Sequence, residues 1–280
     1  MACHEAKRIS PWDLSLETGS EQKEHVALKV TGLDFNPGSV DFVDKLQREF
    51  RLLAELDHPH IIATLGTIVA GLPSARSYGI VLFPLVFCDF AEALEQRSTE
   101  NTKTLWPDKP PALPLSPALL DYLPCLCRAV LYLHRETPIR HRDIKPANVL
   151  IDRDGTFVVA DFDVAKKYTN KLLYPRPRSV ESRPGDLYIP KAVRDGLALN
   201  FEWDIFSLGC VFLQMVTVNL GEVLERMYVH LNGGTSQFFI AYSEALEKGT
   251  VKTWIENLKD LTAGTACTAF LDGARRSGKL

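Results

Sequence analysis

The stretch HRDIKPANVLIDRDGTFVVADFD, from His141 to Asp163, restricts the fold more than any other part of this chain. Two short runs, Val149 to Ile151 and Phe157 to Ala160, are rich in β-branched or aromatic residues and flank Asp152, Arg153, Asp154 and Gly155. An Asp-Gly pair between such runs predicts a β-hairpin. If the runs pair, their outer ends meet. That closure sets Asn148 and Asp161 side by side at the open end of the ribbon, with Asp143 on the loop leading in. Two carboxylates and an amide oxygen then converge, a set suited to a hard cation such as Mg²⁺, with one carboxylate left to accept a proton. Without further context, an Asp-Gly hairpin edged with carboxylates only solvates a turn.

Phosphoryl transfer needs those parts, and here the residues resemble the eukaryotic protein kinases, whose catalytic loop reads H-R-D-x-K-P-x-N and is followed by D-F-G. His141, Arg142, Asp143, Lys145, Pro146 and Asn148 match position for position, and Asp161 and Phe162 match the start of the later triplet. Asp163 stands where the family has glycine. The resemblance implies that Asp143 orients and deprotonates a substrate hydroxyl, that Lys145 steadies the transferring phosphate, and that Asn148 and Asp161 hold the metal. Lysine followed by proline at this point is similar to the serine/threonine branch.

Upstream, HVALKV (His25 to Val30) alternates around one lysine and reads as a strand. Between Val40 and Leu56, the residues Phe42, Leu46, Phe50, Leu53 and Leu56 recur at helical spacing, with Glu49 off that stripe. Alone, Lys29 is an exposed strand lysine. In the family a V-A-x-K lysine pairs with a helix glutamate about twenty residues later, a separation that Lys29 and Glu49 share, and the phrase from Glu49 to Ile61 resembles the family's helix exit. The resemblance implies an ion pair holding Lys29 on the α and β phosphates of ATP. Ile61 to Val69 and Tyr78 to Phe83 are further strand-like runs, and the following FPLVFCDF resembles the hinge between the kinase lobes. By that likeness Leu82 is the gatekeeper, and Phe83 to Leu85 offer backbone groups to adenine. Pro84 has no N–H, so Leu85 is the donor. Ala27 and Leu150 would sandwich the ring in an apolar slot.

Asp89 to Gln96 reads as a helix, residues 97 to 117 as an exposed insertion, and Pro117 to His134 as a mainly apolar helix. After Asp163 comes a basic segment containing Lys166, Lys167, Lys171, Arg176, Arg178, Arg183 and Lys191. It reads either as a solvated loop or, joined by Arg142, as a clamp for a phosphorylated side chain. Thr169, Tyr174, Ser179 and Ser182 are the candidate phosphosites. The family's closing phrase G-T-x-x-Y-x-A-P-E is matched by Gly185, Asp186, Tyr188 and Pro190, one residue short, with Lys191 in place of glutamate. Trp203 to Val218 is apolar nearly all round a helical circumference, which predicts a buried helix. Asp204, at its start, is the exception; a helix N-terminus stabilises such a charge, and the resemblance implies that it braces the catalytic-loop backbone. Two or three amphipathic helical patterns follow, then a polar tail.

Composition narrows the rest. Net charge of −3 and a pI near 6.2 give no reason to expect nucleic acid or an anionic membrane as partner. No apolar run reaches the roughly 18 residues of a spanning helix, and the first ten residues lack a secretory apolar core; the expectation is an intracellular protein, cytoplasmic or nuclear. The six cysteines are scattered and lack zinc-site spacing, so reduced, buried thiols are expected. The implied fold is α+β and bilobal, protein-kinase-like, with a small antiparallel N-lobe carrying one helix and a larger, mainly helical C-lobe. The expected division is an N-terminal segment 1–24, an N-lobe and hinge 25–85, a C-lobe 86–265 and a tail 266–280. The implied activity is ATP- and Mg²⁺-dependent phosphorylation of serine or threonine in protein substrates. A second reading is a pseudokinase or scaffold, because only Gly19 precedes Lys29 where the family has a glycine-rich loop over the phosphates. A third is a small-molecule phosphotransferase with a D-x-D like Asp161 and Asp163.

Overall fold

A computed structural model describes residues 26–32, 40–72, 75–98, 122–152, 155–168, 187–196, 201–235 and 240–261. The four candidate phosphosites, the insertion beyond Ser98, the N-terminal segment with Gly19 and the C-terminal tail lie outside the described residues. In chain order, β1 (Ala27–Gly32), α1 (Val40–Leu53), β2 (Ala63–Leu72), β3 (Ala75–Phe83) and β4 (Val86–Asp89) come first. Helices α2 (Phe90–Ser98) and α3 (Leu123–Arg135) lead to β5 (Ile139–Arg140), a 3₁₀ turn (Pro146–Asn148), β6 (Val149–Asp152), β7 (Phe157–Val159) and β8 (Lys166–Lys167). The rest is helical: α4 (Lys191–Arg194), α5 (Glu202–Asn219), α6 (Leu224–Leu231), α7 (Tyr242–Glu247) and α8 (Thr250–Leu261). Antiparallel strands thus dominate the N-terminal part and helices the C-terminal part, a mixed α+β architecture.

The chain forms two compact units, one of Met1–Cys88 with Leu150–Asp163, the other of Asp89–Val149 with Val164–Leu280. In the first, β3 lies between β1 and β2, antiparallel to both. Ile80 and Leu82 alternate with the more exposed Val81 and Phe83, the period-two pattern of a sheet with one buried face. The strands β2 and β3 run past Val69 and begin before Tyr78, because Leu72 pairs with Ala75 and only two residues make the connection. Gly79 sits at the centre of this sheet, opposite Val30 and Ile68. A Cβ there would lie 3.1 Å from Leu28 Cδ1, 3.2 Å from the Lys29 carbonyl oxygen and 3.3 Å from Ile68 Cγ1. The two side chains can shift, but the carbonyl belongs to the strand carrying Lys29. Gly79→Ala is therefore expected to lower stability by about 1–3 kcal/mol; an unchanged thermal midpoint would refute this.

Strand β6 lies between β4 and β7. The residues on either side of the expected reversal close on each other: the Asp152 N–H donates to the Thr156 oxygen at 3.1 Å and the Thr156 N–H donates to Asp152 Oδ1 at 2.8 Å, while Arg153 and Asp154 lie outside the described residues. Gly155 has φ +81°, a left-handed conformation that glycine adopts without steric cost.

In the second unit α5 is the axis, with twelve of its eighteen residues buried. Its inner residues Leu213 and Val216 pack with Met227 of α6, Tyr242 and Ala245 of α7, and Trp254 and Leu258 of α8. Polar groups inside this core are paired: Trp254 Nε1–H donates to Thr217 Oγ1 at 3.0 Å, and Thr217 in turn donates to the Leu213 oxygen at 2.8 Å. The described cysteines are free thiols, but only Cys210 is buried; Cys127 is exposed because it follows Leu126, and α3 buries the stripe Leu126, Ala129, Val130 and Leu133. Among the described residues no helix is long and apolar enough to cross a membrane.

Candidate active site

Two groups of sequence-predicted residues come together, one in each unit. In the first, Lys29 Nζ donates to both oxygens of Glu49, at 2.8 and 2.9 Å, and to Asp161 Oδ1 at 2.7 Å. Glu49 is only 4% exposed, although the apolar pattern leaves it off the stripe. The reason is angular: residues 46, 49 and 53 stand at i, i+3 and i+7 on one helical face, so Glu49 lies between the buried Leu46 and Leu53. A carboxylate there requires a partner, and Lys29 supplies it. Burial works against the Lys29 ammonium, but the carboxylates of Asp161 and Glu49 outweigh it and hold the lysine above its ordinary pKa. Burial pushes the Glu49 carboxyl up, Lys29 opposes that, and the negative charges of Asp161 and Asp163 add to the rise. Glu49 Oε1 also accepts the Phe162 N–H at 3.3 Å, tying the helix to the residue after Asp161. Asp161 itself has φ +66°, a left-handed conformation held by its ion pair and costing about 1–3 kcal/mol.

The apolar candidates lie nearby in sequence and strand. Ala27 precedes Lys29 by two residues on β1, hence on the same face, and pairs with Leu82 of β3; both are buried. Phe83 closes β3 with 37% exposure, half-buried Leu85 follows on the connection to β4, and half-buried Leu150 lies in β6.

In the second unit Asp143 Oδ2 accepts from Lys145 Nζ at 2.8 Å and from Asn148 Nδ2 at 2.9 Å. Asn148 Nδ2 also donates to the Asp143 main-chain oxygen at 2.8 Å. The amide nitrogen of Asn148 is thereby committed, and its oxygen is the atom it has to offer a cation. An amide oxygen is of the donor class Mg²⁺ accepts, a cation that takes oxygen ligands only and fills much of its shell with phosphate and water. No group of three or more His, Cys, Asp or Glu side chains forms a metal cluster among the described residues, and such a cluster is not what Mg²⁺ with a nucleotide requires.

The loop bearing Asp143 is held from behind by Asp204, which is fully buried at the first turn of α5. Its Oδ2 accepts the His141 N–H at 2.8 Å and its Oδ1 the Arg142 N–H at 2.7 Å. Arg142 has φ +70°, so the carboxylate fixes a residue that would otherwise relax. The Arg142 guanidinium lies 5.2 Å from the centre of the Trp203 ring and donates to the Val164 oxygen at 3.2 Å. Burial lowers its pKa, with Asp204 opposing.

A third donor to Asp204 escapes motif reading. His134 Nε2 lies 2.8 Å from Asp204 Oδ2, and its ring packs 4.4 Å from that of Phe201. The available signal is its place beside the buried Leu133 at the end of an otherwise apolar helical stripe. The partners of Lys191 and Arg194 on α7 were likewise not readable in the sequence.

Comparison with known proteins agrees with this geometry. A family model described as protein kinase domain matches residues 16–257. Cell division control protein 2 homolog 3 of Trypanosoma brucei brucei is 29% identical over 208 residues, covering 72% of this chain and 56% of that protein. Mitogen-activated protein kinase kinase kinase 3 of Arabidopsis thaliana is 28% identical, with 62% of this chain and 24% of the relative covered. A G-type lectin S-receptor-like serine/threonine-protein kinase of the same plant is 26% identical, with 70% and 22% covered. The chain thus spans from about a fifth to just over half the length of these relatives. With a family model covering most of its length and the catalytic-loop residues hydrogen-bonded to one another, the chain belongs to the protein kinase domain family.

Proposed function

We propose that this protein transfers the γ-phosphoryl group of ATP to serine or threonine hydroxyls of protein substrates. The observation that carries the reading is the Asp143 carboxylate held by Lys145 and Asn148 on one oxygen, Oδ2. Neither of those bonds falls on Oδ1, which is the oxygen assigned here to the incoming hydroxyl proton. Bound ATP and Mg²⁺ supply the transferable phosphoryl group and the positive charge that offsets its oxygens. Asn148 and Asp161 are assigned as the metal's protein ligands. Lys145 places positive charge beside the base, and Lys29, oriented by Glu49, is assigned to the α and β phosphates. Ala27, Leu82, Phe83, Leu85 and Leu150 are assigned to the adenine.

A nucleotide-binding module without transfer is favoured by one specific observation, the extra Asp163 carboxylate whose field reaches Glu49. Radiometric phosphorylation of casein and histone, run beside a nucleotide-dependent thermal shift, separates the two. Lys29→Met removes a charged donor, and hydrogen bonds to charged groups contribute about 1.5–3 kcal/mol, so transfer is expected to fall about 10- to 100-fold. A thermal shift with no transfer by the parent chain selects the binding module. Equal transfer by parent and variant rejects the assignment of Lys29.

A further inference from the structure

We infer that Lys191 and Arg194 are positioning residues for the protein substrate, acting through a two-cation latch onto α7. This rests on the kinase reading above. Helix α4, from Lys191 to Arg194, has four residues, far fewer than an isolated helix needs. It persists because it is tethered on two sides. On the inner side Ile189 and Val193 are buried with Trp203, and the Tyr188 oxygen accepts the Ser207 hydroxyl at 3.0 Å. On the outer side both cations reach one helix: Lys191 pairs with Glu247, and Arg194 pairs with Glu244 at 2.5 Å and also bonds Ser243.

The two sides have different consequences. The apolar contacts attach the segment without fixing its roll about Trp203, since apolar burial is not directional, and the Ser207 bond reaches only Tyr188, ahead of the helix. The ion pairs, three residues apart on both helices, fix that roll. Trp203 is also the ring beside the Arg142 guanidinium, 5.2 Å away, and Arg142 adjoins Asp143. The latched segment is therefore one side chain removed from the catalytic loop. A substrate whose hydroxyl reaches Asp143 must lay its flanking chain on the neighbouring surface of this unit, and the latch sets that surface. Lys191, which departs from the family's glutamate, is thereby given a partner of the opposite sign: the acid lies on α7 and the base on α4.

The test is charge reversal and restoration. The variant Lys191→Glu with Arg194→Glu sets like charges against Glu247 and Glu244. Amide exchange at residues 193 to 196, whose N–H groups bond within this turn, is expected to become about tenfold faster as the local opening equilibrium shifts. The KM for casein should rise about tenfold, with the KM for ATP within about twofold of the parent. Adding Glu247→Lys and Glu244→Arg should return both quantities to within about twofold, a rescue that loss of bulk stability would not give. Lys191→Met with Arg194→Met, which removes charge without adding repulsion, should give the same direction at about threefold. Exchange unchanged by reversal, or unrestored by the swap, overturns the latch. Exchange that responds while casein KM does not overturns the substrate role. If the parent transfers no phosphate, the kinase reading fails, and the exchange measurements still decide the latch.

Discussion

Asp143→Asn is expected to lower the rate of phosphate transfer about 10²- to 10⁴-fold, the usual contribution of a positioned general base. The substitution keeps the size and planarity of the side chain, so the effect reads chemistry more than packing. Two donors, Lys145 Nζ and Asn148 Nδ2, converge on Oδ2 at 2.8 and 2.9 Å. An amide can turn its oxygen toward them, and the Nδ2 group then occupies the place of Oδ1. A group that accepts a proton becomes one that donates. The nucleotide-dependent thermal shift should persist, because Lys29, Glu49 and Asp161 are untouched. Single-turnover transfer to casein is the measurement, and a variant as fast as the parent removes Asp143 from the reaction. Asp143→Ala should be as slow, since it too lacks the base.

The parts of the fold that could be read from the sequence are those whose cause is local. The apolar circumference of Trp203 to Val218 dictates burial, and twelve of the eighteen residues of α5 are buried, although Ile205 remains exposed. The pairing of the two strand runs needs only residues close in sequence, and Asp152 and Thr156 close on each other. The Lys29 and Glu49 pair was readable through spacing within a familiar phrase, but the burial of Glu49 was not, because a charge is ordinarily placed on the solvated face. What stayed hidden depends on partners distant in sequence. His134 meets Asp204 across 70 residues and Lys191 meets Glu247 across 56, and ion-pair partners at such separations leave no periodicity behind. The left-handed conformations of Arg142 and Asp161 were also invisible, since neither is a glycine and each is imposed by a remote group. Strand ends moved for a simpler reason: pairing between β2 and β3 continues until the chain must turn, whatever the side chains prefer.

Asp204→Ala is expected to cost about 3–5 kcal/mol of folding stability, the range for removing one partner of a buried charged set. Three donors lose their acceptor together: the His134 ring, the His141 N–H and the Arg142 N–H. Asp204 is fully buried, so the vacated space offers these groups little water, and an unsatisfied buried donor costs about 1–3 kcal/mol. The methyl group of alanine fills little of the space. Arg142 then has nothing to hold φ near +70° and relaxes toward the right-handed or extended region, which re-aims the peptide leading into Asp143. Loss of activity should therefore exceed what the unfolded fraction explains. Asp204→Asn separates the two effects, because it retains one acceptor oxygen for three donors and keeps the volume. It should recover part of the stability lost in the alanine variant while transfer remains impaired. Denaturant unfolding beside single-turnover transfer at a temperature where every variant is folded makes the distinction. If Asp204→Ala melts within about 1 kcal/mol of the parent, the buried carboxylate is not what holds the loop, and the left-handed Arg142 requires another cause.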